Sequence, residues 1–166
     1  MAKELHELKE AEERVILVGV ESENGTSFMD TDACLDELAE LVKTAGAVTV
    51  ARTIQKREKV HPGHYLGKGK IEELKMMLHT YDATGIVCDD ELSPAQMKNL
   101  ENMLETKVMD RTIVILDIFA SRAISGEGKI QVELAQLKYR LSRLTGMGTS
   151  MSRLGGGIGT TMLVFN

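Results

Sequence analysis

The heptapeptide Arg-Val-Ile-Leu-Val-Gly-Val at 14–20 constrains this chain more than any other stretch. It is short, apolar and rich in β-branched residues, and it ends in acidic and turn-forming residues, the pattern of a strand buried on both faces. Strands of this kind belong in parallel sheets, where helices cover both sides. The same texture returns at 47–54 (AVTVARTI), at 85–90 (GIVCDD) and, more briefly, at 107–110 (KVMD). Helical patterns lie between these runs. Leu35, Leu38, Leu41, Val42 and Ala45 recur at helical spacing behind Asp30 and Thr31 as N-cap candidates, and Gly46 stands at the C-terminal position. Residues 70–81 predict an amphipathic helix, and 93–105 open with Ser93 at the cap and Pro94 at the first helical position. Strand and helix alternating at this pace predict βαβ units. The fold class is α/β, a small doubly wound parallel sheet of about four strands over residues 12–110.

Past Asp110 the texture changes, and residues 111–160 read as a helical extension, with 161–166 as a tail. The stretch RTIVILDIFASRA is apolar nearly all round and predicts a helix packed into something. Gly126 and Gly128 then mark a break, because each costs about 1 kcal/mol against Ala inside a helix. Ile130, Leu134, Leu137, Leu141 and Leu144 follow at steps of four, three, four and three, an a/d seam like that of a coiled coil. A seam requires a partner. Burying one Leu is worth about 1.5–3 kcal/mol, so self-association through residues 113–144, or folding back on the body, is expected. The extension therefore reads as half of a helical hairpin.

Charge is unevenly spread. The 166 residues carry a net charge of −5, yet from Glu127 to Thr160 the basic residues Lys129, Lys138, Arg140, Arg143 and Arg153 face only Glu127 and Glu133, leaving +3 there and −8 elsewhere. Such asymmetry points the extension, rather than the body, toward a polyanion. Lone Cys34 and Cys88 read as reduced thiols, and the acids ahead of the first apolar run exclude a signal peptide. That run is too short to span a bilayer, so a cytoplasmic location with no membrane partner is expected.

Two glycine-rich stretches invite a binding role. PGHYLGKGK (62–70) opens a helix and presents backbone N–H groups and lysines to an anion, but its spacing is not that of a P-loop, and Ile71 stands where Mg²⁺ would need Ser or Thr. His64, Tyr65, Gly67, Lys68, Gly69 and Lys70 are the candidate phosphate-binding residues, with Arg52, Lys56, Arg57 and Lys59 nearby and Tyr or His available to stack on a base. A purine-nucleotide-binding body with weak NTPase activity is the alternative function; a solvated turn is the plainer account. Asp89 and Asp90 end a strand where open α/β sheets bind ligands, although capping and solvation explain acids there more cheaply. The four histidines show no metal-ligand spacing, and neither a metal site nor a catalytic residue is expected. The second stretch, RLTGMGTSMSRLGGGIGT (143–160), fails the dinucleotide pattern but suits a flexible tip whose backbone presses against RNA.

In TAGAVTVARTIQKREKVHPGHYLGKGKIEEL, DDELSPAQMKNLE, MDRTIVILDIFASRAISGEGKIQVELAQLKYRLSRL and SRLGGGIGT, the chain resembles the HflX family of ribosome-associated GTPases. The resemblance runs from about Arg14 to Thr160 and implies an N-terminal α/β domain, a helical hairpin with a glycine-rich tip, and then a separate GTP-binding domain. It also implies a ribosomal partner: the N-terminal region on the large subunit, the tip near its peptidyl-transferase region, with subunit splitting or rescue of stalled ribosomes as the outcome. On this chain the tip corresponds to Arg153, Leu154, Gly155, Gly156, Gly157, Ile158, Gly159 and Thr160, and the nucleic-acid-binding set is Lys138, Arg140, Arg143, Arg153, Gly155, Gly156, Gly157 and Gly159. Where the family continues with Arg-Gly-Pro-Gly-Glu and a second long helix, this chain reads Thr161 to Asn166. The expectation is a region ending before the GTP-binding domain, with GTP and Mg²⁺ belonging to that domain and no hydrolysis by this chain itself.

Overall fold

A computed structural model describes residues 12–23 and 30–144. Four strands, β1 (Arg14–Ser22), β2 (Val48–Arg57), β3 (Gly85–Cys88) and β4 (Lys107–Asp110), form one sheet in the order β2-β1-β3-β4. Every pairing is parallel. Five helices accompany them: α1 (Thr31–Thr44), α2 (Lys68–Thr80), α3 (Pro94–Leu104), α4 (Arg111–Arg122) and α5 (Gly126–Leu144). The α/β body read from the strand and helix rhythm is the one observed.

Alternation along the strands sorts the core into two layers, because successive side chains of a strand point to opposite faces. Ile16, Val18, Ile86, Cys88 and Val108 meet Ile71 and Leu74 of α2 and Leu100 and Leu104 of α3. On the other face Val15, Leu17, Val87 and Met109 meet Leu35, Leu38 and Val42 of α1 and Val114 and Ile118 of α4. Although expected to begin the extension, α4 thus completes the second layer, while its Phe119 remains exposed. The strand at 48–57 runs three residues past its predicted end, since β1 continues beside it as far as Ser22.

Local signals set the helix ends. The Asp30 carboxylate accepts from Asp32 N at 3.2 Å, and Gly46 takes the positive φ of +95° that a helix-terminating turn requires. Ser93 and Gln96 form a capping box with Pro94 in the first turn. The break comes just ahead of the expected glycines, between Arg122 and Gly126; Gly126 and Gly128 instead form the first turn of α5, where Ser125 Oγ accepts from Gly128 N at 2.9 Å.

The extension is tied down at Asp110, the last residue of β4, which is fully buried. Its Oδ1 accepts from Ile113 N at 3.0 Å, capping α4, and its Oδ2 accepts from Leu92 N at 3.1 Å in the segment after β3. The Tyr139 hydroxyl of α5 donates to the same Oδ2. One carboxylate therefore joins the sheet, two helices and the segment leading into a third. Among the described residues, no helix is long and apolar enough to cross a membrane.

Removing a buried, charged acceptor leaves its donors unsatisfied, each at roughly 1–3 kcal/mol. Asp110→Ala is expected to lower the unfolding free energy by about 3 kcal/mol or more, and Asp110→Asn by about 1–2 kcal/mol, as measured by urea denaturation. A change below about 0.5 kcal/mol for the alanine variant would contradict this account of the junction.

Candidate functional site

The strand order reverses direction of growth between β1 and β3, and the crevice at the carboxyl ends of those strands is where doubly wound sheets take ligands. Here that edge is acidic and internally paired. Asp89 N donates to Val18 O at 2.9 Å, and the Asp89 carboxylate accepts from Arg111 at 3.0 Å. Arg111 also pairs with Glu37 of α1. Burial pushes the Asp89 carboxyl upward, and Arg111 opposes the shift. Asp90 accepts from the Tyr65 hydroxyl at 2.6 Å. Among the described residues, no group of three or more His, Cys, Asp or Glu could hold a metal ion.

Next to this edge the predicted phosphate-binding set is split between the loop after β2, which holds His64 and Tyr65, and the start of α2, where Gly67 is the N-cap and Lys68, Gly69 and Lys70 form the first turn. His61 N donates to Tyr65 O at 3.1 Å and Tyr65 N to His61 O at 2.9 Å, closing the turn, with Tyr65 in the left-handed region at φ +65°. His61 Nδ1 accepts from Gly63 N at 3.0 Å and from His64 N at 3.1 Å. The two imidazoles stack, 3.6 Å between centroids and 8° between planes, and His64 Nδ1–H donates to Leu66 O. From α3, Gln96 donates to His61 O at 2.9 Å and Asn99 to Gly63 O at 2.7 Å. The turn is clamped from outside as well as from within.

This wiring occupies most of the groups an anion or base would need. Tyr65, expected to be available for stacking on a base, is 1% exposed in the core; burial pushes its phenol pKa far up, so it remains a neutral donor to Asp90. Gly67 N donates to Gln55 at 2.9 Å, and a Cβ there would stand 2.9 Å from Gln55 Nε2 and 3.2 Å from Arg57 Nη1, so a larger residue would push those two side-chain ends aside. Lys70 is held by Thr53 at 3.1 Å and by Glu73 at 2.8 Å. Lys68 and Gly69 are exposed at the first turn of α2. Gly67 and Lys70 thus take part in a loop-to-helix turn, while Lys68 and Gly69 face solvent.

The second candidate surface is α5. Gln136, Tyr139 and Arg140 meet the body, through Leu116 O, Asp110 and Asp117 respectively. Arg140, placed by the sequence in the nucleic-acid set, is half-buried; burial pulls its guanidinium pKa down and the Asp117 carboxylate pulls it back up. Lys129 and Lys138 are exposed. Arg143 lies in the last turn of α5, whereas Arg153, Gly155, Gly156, Gly157 and Gly159 fall outside the described residues. Along the seam, Ile130 is 66% exposed, Leu134 49%, Leu137 38% and Leu141 52%. Asp110, Gln96 and Asn99, central to this wiring, were not singled out by the sequence; only the capping-box spacing of Ser93 and Gln96 signalled any of them.

Two family models match the chain. One, described as GTP-binding GTPase N-terminal, covers residues 32–120; the other, described as GTP-binding GTPase middle region, covers residues 122–163. The GTPase HflX of Lacrimispora saccharolytica is 69% identical over 157 residues, 95% of this chain and 36% of the relative. That of Escherichia coli is 43% identical over 125 residues, 75% of this chain and 29% of the relative. The chain thus spans about a third of the length of the curated relatives it matches. A solved complex of SsGBP with GDP aligns at a TM-score of 0.63 and 24% identity over 86% of this chain and 39% of that one, a likeness of fold.

The loop has a pH dependence of definite sign. Desolvation, the neighbouring His64 and the cations Arg57 and Lys68 hold His61 below the usual imidazole range. The unfolded chain therefore binds the proton more readily, and stability at this turn is lost as pH falls below about 6.5. Protonation at Nδ1 would also remove the acceptor used by Gly63 N and His64 N. Amide exchange, corrected for intrinsic rates, is expected to show protection of Gly63 and His64 falling from about pH 7.5 to about pH 5.5. Equal protection at both values would refute the sign.

Proposed function

The chain belongs to the HflX family of GTPases, and we propose that its part there is to bind the large ribosomal subunit through ribosomal RNA, GTP hydrolysis being the work of sequence outside the third of the relatives that it matches. The observation that carries this reading is the placement of positive charge on a helix that meets the body along one side. α5 exposes Lys129 and Lys138 and carries Arg143 in its last turn, and Arg153 and the glycines at 155–157 and 159 follow it in the sequence, in a chain that is otherwise strongly acidic. An RNA backbone is drawn to that end and repelled by the acidic surplus elsewhere, which orients the encounter as well as strengthening it. Glycines next to arginines let a main chain approach ribose and phosphate where side chains would collide. Exposed Lys56, Lys59 and Lys68 offer the same polyanion a second foothold on the body.

On this reading the chain contributes placement to a process of ribosome splitting or rescue rather than bond-breaking chemistry. The alternative, purine-nucleotide binding at the β2–α2 turn, is less well supported because Tyr65, the Gly67 N–H and Lys70 are already spent on internal partners.

A contact neutralising three or four phosphates loses affinity steeply with salt. The 166-residue chain is expected to pellet with large subunits at low salt and to bind roughly 20- to 100-fold more weakly after a fourfold rise in salt. Lys129→Glu with Lys138→Glu should weaken the low-salt binding and flatten the salt dependence. No co-sedimentation at either salt, or binding indifferent to salt and to charge reversal, defeats the proposal.

A further inference from the structure

The side of α5 that meets the body is unlike the buried side of any other helix in the molecule. Of its described side chains Gln136 is the buried one, and the half-buried positions Gly128, Val132, Tyr139 and Arg140 fall with it on one stripe at helical spacing. Val132 is the single aliphatic side chain of that stripe. The hydrophobic effect that seats α1 to α4 on the sheet therefore contributes much less to seating α5, and the contact rests on polar bonds. Those bonds are incomplete. Gln136 Nε2 lies 3.5 Å from Leu116 O, at the limit of a hydrogen bond, and Gln136 Oε1 is buried with no partner among the described residues. A cavity of about 10 Å³ lies between Ile113, Leu116, Gln136, Tyr139 and Arg140.

We propose that α5 is a releasable arm, which undocks from the body about the elbow at 123–125 with the Tyr139–Asp110 bond as its latch, while the body stays folded. Release exchanges polar contacts for water, which would satisfy the Gln136 amide oxygen and rehydrate the Arg140 guanidinium, whose pKa burial pulls down. Two ties oppose it, the attraction between Arg140 and Asp117 and the Tyr139 hydroxyl donating to Asp110. When that hydroxyl leaves, Asp110 keeps Leu92 N and Ile113 N, both of which belong to the body. The elbow suits a hinge. Residues 123–125 lie outside both helices, with Ala123 extended at φ −68° and ψ 120°. Ala123 N donates to Phe119 O at 3.1 Å and Gly128 N to Ser125 Oγ at 2.9 Å, so these bonds stay with one helix or the other when the elbow turns. The two family models also part here, one ending at residue 120 and the other starting at 122. Release would let a cationic helix change direction relative to the body whatever polyanion it meets, and so it does not depend on the ribosomal reading.

Spin labels on Met76→Cys, exposed on α2, and Ala135→Cys, exposed on α5, report the separation by pulsed dipolar spectroscopy of the 166-residue chain carrying Cys34→Ser. Cys88 is buried and stays unlabelled. Two separations are expected, one docked and one released. Tyr139→Phe removes the latch hydroxyl and keeps the ring, and should raise the ratio of released to docked chains about tenfold or more. Gln136→Met removes the unpartnered oxygen at nearly the same size and should lower that ratio. In both variants the amides of β1 and β3 should remain protected from hydrogen exchange. A single separation shared by the parent and Tyr139→Phe overturns the proposal. Release that appears only together with loss of β1 and β3 protection overturns it too, since α5 would then be part of the body's cooperative unit, and so does a rise in the released fraction on Gln136→Met.

Discussion

The buried carboxylate of Asp110 governs how the two parts of this molecule meet. A buried carboxylate needs several donors, and Asp110 finds them in three separate segments: Leu92 N, Ile113 N and the Tyr139 hydroxyl. Because Tyr139 belongs to α5, satisfying the carboxylate also fixes which side of that helix faces the body. Gln136 and Arg140 lie on the same side and follow it inward, to Leu116 O and Asp117. The consequence is an amphipathic helix docked by its polar side. Rolling it over to bury the leucines would gain about 1.5–3 kcal/mol for each side chain fully covered, but would take the Tyr139 hydroxyl away from the buried carboxylate and the Gln136 amide away from Leu116 O. Those penalties are of the same order. The observed orientation holds because the polar junction is multiply bonded, and the apolar stripe faces away from the body as a result.

The body was legible in the sequence because its constraints are local. Strands buried on both faces must be apolar and favour β-branched residues, so 14–20, 85–88 and 107–110 announce themselves without tertiary information. Helix caps are equally local: Asp30, Gly46 and Ser93 all sit where their hydrogen bonds are made. What sequence pattern could not supply was the destination of α4. A nearly all-apolar helix after the last strand reads as the start of an extension, yet Val114 and Ile118 return to cover the same layer as α1. Apolarity shows that a helix is covered, not by what.

The loop at 61–70 was ambiguous in the sequence for a different physical reason. Glycines, lysines, a tyrosine and two histidines before a helix suit an anion site and a self-bonded turn equally well, because both are built from backbone N–H groups brought close together. The distinction rests on partners far away in sequence: Gln55 and Thr53 on β2, Gln96 and Asn99 on α3, and Asp90 after β3. None of these has a spacing rule linking it to the loop. Tyr65 shows the limit most clearly, since a left-handed backbone at φ +65° is what turns its ring into the core instead of toward a ligand.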